Sequence, residues 1–209
     1  MYTACLYAVW KFVIMNKNDK GGFTMLNEQH YFEQGVDLAT YMSNMATLKN
    51  DSYRVYNAFD LPEDPEFIEA VKRANIHILV ITEDWCGDAM MNNAILRNIA
   101  EAAELDVRCV MRDQYIELMD AYLTNGSRSI PLYLFLNEAG EVIGQWGPRA
   151  PELQAFVMAK WALLPPKTDD EFSMKQRELF MTLSEEYASN EQFWQYVYED
   201  LRTTLLNIL

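Results

Sequence analysis

The run Ile76-His77-Ile78-Leu79-Val80-Ile81 is apolar and β-branched almost throughout, the pattern of a strand covered on both faces. A few residues later comes Cys86 to Glu104, rich in Ala, Met, Leu and Ile with Arg97 and Asn98 interspersed, a composition that favours a helix. Val107-Arg108-Cys109-Val110-Met111-Arg112 then alternates, putting Val107, Cys109 and Met111 on one face and two arginines on the other. Strand, helix and strand in such close succession predict a parallel βαβ unit, and the rest of the chain has to pack around it.

Helix-like sequence resumes from Asp113 to Tyr122 and stops at Asn125-Gly126. Pro131-Leu132-Tyr133-Leu134-Phe135-Leu136 and Glu141-Val142-Ile143-Gly144-Gln145-Trp146 flank the short connection Asn137-Glu138-Ala139-Gly140. Strands joined that briefly must run antiparallel. From Pro151, Leu153, Phe156, Val157, Trp161 and Leu164 have the spacing of a helix lying on a sheet, ended by Pro165-Pro166. The core order is therefore β-α-β-α-β-β-α.

Before this core, Tyr31, Val36, Leu38, Met42 and Met45 predict a helix over 27–48, interrupted near Gly35. Tyr53 to Phe59 reads as a short strand, and Asp64-Pro65-Glu66 caps a short helix from Pro65 to Ala74. After the core, Phe172, Gln176, Leu179, Phe180, Leu183 and Tyr187 mark one amphipathic helix, and Phe193, Val197, Leu201 and Leu205 another.

These elements set the expected segments: a helical extension over 25–60, a core over 61–165 and a second helical extension over 166–209. Residues 1–24 are expected to be a mis-translated or disordered leader. Lys20-Gly21-Gly22-Phe23-Thr24-Met25 can be encoded with a purine-rich ribosome-binding sequence ahead of an initiator codon, which places the natural start at Met25.

A formal charge of −14 repels phosphate backbones and anionic lipid heads, so neither nucleic acid nor a membrane surface is an expected partner. The apolar stretch Tyr2 to Met15 lacks a basic n-region, is broken by Lys11 and is too short to span a bilayer. Cys5, Cys86 and Cys109 are too irregularly spaced for a disulfide framework, and no Cys/His cluster has zinc-site spacing. A reducing cytoplasm and no metal or cofactor are the expectation. His30 and His77 are far apart and neither has an evident partner for acid-base or metal work.

Cys86 stands where a buried strand turns into a helix, a position at which unpaired N–H groups favour a thiolate. Glu83, Asp84 and Asp88 lie within a few residues and oppose that ionisation, which leaves the direction of the thiol's shift open. The segment Glu83-Asp84-Trp85-Cys86-Gly87-Asp88-Ala89 resembles the Trp-Cys-Gly-Pro-Cys active-site motif of the thioredoxin family. Arg128-Ser129-Ile130-Pro131, just before the hairpin, is similar to that family's Arg-Gly-Ile-Pro, whose proline is cis and faces the nucleophile. Gly147 matches the glycine that precedes the final helix.

The similarity runs from about Leu61 to Leu164. It implies an α/β thioredoxin-like three-layer sandwich: a mixed central sheet, helices on both faces, and the N- and C-terminal helices appended. The appended helices and the Gly-Asp variant suggest a bacterial member of the family with such extensions. The resemblance implies Cys86 as catalytic residue, with Trp85, Gly87, Asp88, Ala89, Ile130 and Pro131 around the substrate. Thiols or disulfides of proteins or small molecules are the implied partners.

Two departures bear on activity. Ala89 occupies the place of the resolving cysteine, and Val80 that of the buried acid six residues before the nucleophile. A dithiol cycle needs a second thiolate to expel the substrate. Cys109 lies mid-strand on an apolar face, and a disulfide requires Cα atoms within about 7 Å. Two functions remain open: monothiol exchange on mixed disulfides through Cys86, or a redox-inactive binding module that keeps the cis-proline groove. A thiol titrating well below about 8.5 marks the first, and a normal or raised one the second. A third alternative has Ala89 replacing a parental cysteine, which would give the parent a dithiol cycle.

Overall fold

The computed structural model describes the backbone of residues 15–17 and 23–25 and the whole of residues 26–209. Strands β1 (Met15–Lys17) and β2 (Phe23–Met25) pair antiparallel in a small sheet of their own. The rest of the predicted leader, Cys5 included, lies outside the described residues.

The main sheet has five strands, β3 (Val36–Asp37), β4 (His77–Thr82), β5 (Val107–Met111), β6 (Leu132–Leu136) and β7 (Val142–Trp146), in the order β3-β5-β4-β6-β7. β4 and β5 run parallel, Val80 opposite Cys109, as the βαβ unit requires. β6 is antiparallel to both β4 and β7. Every residue of β6 is buried, because it is hydrogen-bonded on both edges and covered on both faces.

Helices α1 (Glu28–Gln34) and α2 (Leu38–Asn44) take the place of the single helix predicted over 27–48, and β3 separates them. The break falls at Gly35, where an added Cβ would stand 3.0 Å from Arg108 Cβ and 3.2 Å from the Cys109 carbonyl oxygen. Only glycine lets the chain lie that close to β5 and join the sheet edge. Asn27 and Asp37 then cap α1 and α2 through the amides of His30 and Thr40.

The strand expected over Tyr53–Phe59 is instead the second half of α3 (Lys49–Ala58). Ser52 and Val55, three apart, are both fully buried, and the Ser52 hydroxyl donates to the Met90 carbonyl at 3.0 Å. Packing on one helical face overrides the β-propensity of Tyr and Val. Helix α4 (Pro65–Arg73) begins as expected, with Asp64 accepting from the Phe67 amide.

α5 (Gly87–Ala103) links β4 to β5, and α6 (Ile116–Asp120) is shorter than the helix predicted over Asp113–Tyr122 because turns occupy residues 112–114. α7 (Pro151–Trp161), α8 (Phe172–Ser189) and α9 (Glu191–Ile208) complete the chain. One face of the sheet, through Ile78, Val80, Cys109, Tyr133 and Phe135, shares a core with α2–α5 and α7–α9. The other face, through Leu79, Ile81, Val110 and Leu134, packs on Phe32 of α1 and on Leu118 and Met119 of α6. Among the described residues no helix is long and apolar enough to cross a membrane.

Candidate functional site

Cys86 is the N-cap of α5, with an extended backbone and its carbonyl accepting from the Met90 amide at 2.9 Å. The strand-to-helix turn is held from outside by Asp84, whose carboxylate accepts from the amides of Ala46 at 2.7 Å and Thr47 at 3.2 Å. Partial burial opposes ionisation of Asp84, but those amides win and hold it below the usual carboxylate range. Glu83 is turned away as well, accepting from the Asp113 amide at 2.8 Å.

Across from Cys86 the Ile130–Pro131 peptide is cis, and the thiol donates to the Ile130 carbonyl at 3.4 Å. The two segments singled out in the sequence, forty-four residues apart, therefore meet. Around them lies a cleft of about 580 Å³, within the size range of small-molecule sites. Trp85, Cys86, Gly87, Asp88 and Ile130 line it. Ala89 and Pro131 are buried and do not belong to its lining. Trp85 is 49% exposed and carries the Arg112 guanidinium over its ring at 4.8 Å.

Burial, reinforced by the Asp88 carboxylate, pushes the Cys86 thiol up to about 12, against the opposing amides of Ala89 and Asp88 and the Arg149 charge. Of the acids near Cys86 in sequence, Asp88 is thus the one that acts on it. Donation to the Ile130 carbonyl further favours the protonated form. Cys109 is buried inside β5, and burial raises its thiol well above the ordinary range.

Several participants come from outside the predicted motifs. Asp88 does not simply face the helix dipole: it forms a bidentate ion pair with Arg149, both contacts at 2.6 Å. Burial raises its carboxyl and Arg149 opposes that rise. Arg149 follows a second cis bond, Gly147–Pro148, and the Pro148 carbonyl accepts from the Asn92 side chain at 2.9 Å.

α8 covers the first turn of α5. A Cβ on Gly87 would stand 3.4 Å from Cδ2 of Tyr187, and Phe180, Met181, Leu183 and Ser184 line the same cleft. The buried Tyr187 hydroxyl feels the Asp88–Arg149 pair without closing a well-formed hydrogen bond. The Trp194 indole of α9 donates to the Tyr187 carbonyl at 2.8 Å and fixes this end of α8. Tyr187 belongs to the amphipathic stripe legible in the sequence, but nothing in that stripe says which helix it will cover.

Val80, in the place of the family's buried acid, is enclosed in β4. A neutral network lies nearby. Tyr41 Oη is 3.2 Å from Thr82 Oγ1, Asn93 Nδ2 donates to Thr82 Oγ1 at 3.0 Å, and the Tyr133 hydroxyl donates to Asn93 Oδ1 at 2.9 Å. Two adjacent asparagines within the otherwise apolar run Ala89 to Leu96 were the available signal for it.

The sequence model of the family described as Thioredoxin matches residues 35–165. The match begins earlier than the resemblance over Leu61–Leu164 and takes in β3. A Pseudomonas aeruginosa protein of unknown function superposes with a TM-score of 0.64 at 17% identity, covering 88% of this chain and 100% of that one. An HIV epitope-scaffold superposes with a TM-score of 0.61 at 18% identity and the same coverages. At these identities the two structures show a shared fold. No curated protein matches the chain.

Proposed function

This chain belongs to the thioredoxin family, and from that premise we propose that it is a ligand-binding member with a resting thiol, its Cys86 cleft holding a guest without a dithiol cycle. The observation that carries this proposal is the setting of Cys86: its thiol donates to the Ile130 carbonyl at 3.4 Å, and Ala89 leaves it with no second thiol in the motif. Burial and the Asp88 carboxylate push that thiol up to about 12, which favours the protonated form at neutral pH. The absence of a thiol at Ala89 and the enclosure of Cys109 support the same conclusion.

Alkylation of Cys86 against pH, followed by mass spectrometry of its peptide, tests this. The rate should climb continuously through pH 10 with no plateau near neutrality. A plateau below about pH 8 would identify an activated thiolate and overturn the proposal.

Monothiol exchange is the alternative, favoured by the position of the sulfur at the cleft beside Ile130. In that cycle the Cys86 thiolate attacks a mixed disulfide, forms a new disulfide with one half and releases the other as a thiolate. A second small thiolate then attacks the new bond and frees Cys86. Release of a small thiol from a mixed-disulfide substrate, faster with the native protein than with Cys86→Ser, would establish it. Equal rates would remove Cys86 from any catalytic part.

A further inference from the structure

The lining of the Cys86 cleft has two chemically distinct components. One is apolar, where Trp161 and Phe180 meet edge to face at 5.6 Å and Met181 is 73% exposed. The other carries the guanidinium groups of Arg112, Arg128 and Arg149, with Asp88 the one carboxylate in the lining. Asp88 is already committed to Arg149. In a chain with 31 acidic against 17 basic residues, such a lining runs opposite to the rest of the molecule.

Arg112 and Arg128 do have partners, Asp113 at 2.8 Å and Asp120 at 2.6 Å, but those carboxylates lie outside the lining and are about half exposed. Such surface pairs contribute about 0–1 kcal/mol, so a ligand anion in the cleft can replace them at small cost. The Tyr187 hydroxyl lies buried beneath this lining, beside the Asp88–Arg149 pair.

We propose that the guest is a small carboxylate with an apolar body, its charge held by Arg112 and Arg128 and its body laid along Trp161 and Phe180. This inference rests on the cleft being a ligand site, and it adds the ligand's class. Three probes of equal chain length separate charge from apolarity: decanoate, decyltrimethylammonium and 1-decanol. Each is titrated calorimetrically into the full chain, and its slowing of Cys86 alkylation is measured at pH 10.

Decanoate should bind one to one, at least tenfold more tightly than the cation, and slow alkylation about fivefold or more. The double variant Arg112→Gln/Arg128→Gln should weaken decanoate binding at least tenfold, whereas Arg112→Lys/Arg128→Lys should restore most of it. Equal binding of the cation, or no response to the glutamine pair, would overturn the carboxylate assignment while leaving the cleft a binding site. If none of the three probes binds, the assignment also falls. The resting-thiol proposal is judged separately, by the pH profile of the unliganded protein.

Discussion

At the scale of single residues, the Asp88–Arg149 pair is the most buried ion pair at the site, with side-chain exposures of 10% and 23%. Removing one member of a buried pair strands the other's charge. Asp88→Ala should therefore cost about 3 kcal/mol, the low end for such pairs because Arg149 retains some solvent. Asp88→Ala/Arg149→Met should recover most of that loss. Urea denaturation of the four proteins in a double-mutant cycle measures the coupling, and a coupling below about 0.5 kcal/mol would show the pair to be dispensable. Tyr133→Phe leaves Asn93 Oδ1 unpaired in a fully buried place, with an expected loss of about 1–2 kcal/mol in the same assay. The Cys86 thiol links stability to pH. It titrates higher folded than unfolded, so its contribution is complete below the unfolded value of about 8.5 and is lost as pH rises toward the folded one. Between pH 8.5 and 10, before the buried tyrosines enter, native stability should fall more steeply than that of Cys86→Ala. Parallel slopes would mean an unshifted thiol.

At the scale of elements, α9 decides how α8 meets the site. It is tied to β7 by the Trp146 indole donating to Asp200 at 2.6 Å, to the start of α4 by Arg202 on Asp64 at 2.5 Å, and to α8 by Trp194. Val197, Leu201 and Leu205 are fully buried in the main core. Leu201→Ala should destabilise the protein by about 3 kcal/mol, as cavity-forming changes in a packed core do. A loss under about 1 kcal/mol would mean a loosely docked helix. Urea midpoints at unchanged m-value provide the measurement.

At the scale of the whole molecule, helices before the βαβ unit, α5 within it and α7–α9 after the sheet contribute to one continuous core on the same side of the sheet. A shared core argues for one cooperative transition. Urea unfolding followed by far-UV circular dichroism and by tryptophan fluorescence should give coincident curves, since Trp146 in β7 and Trp194 in α9 both belong to that core. Two separated transitions would divide the chain into independent units.

The sequence by itself determined the βαβ unit, the hairpin and the last helices, because these rest on periodicity and propensity, and the meeting of Cys86 with Ile130–Pro131 was implied by the resemblance of two separate motifs to one family. It did not determine that residues 53–58 are helical, since Tyr and Val there have strand propensity until Ser52 and Val55 find α5 to pack on. Nor could it give the state of the Cys86 thiol. Neighbouring acids and a helix terminus pull in opposite directions, and burial decided the balance only once α8 and the Asp88–Arg149 pair had closed around the turn. Local sequence sets which elements form, through interactions within a few residues. Desolvation and charge pairing depend on which distant elements arrive beside one another, and that is fixed only when the core closes.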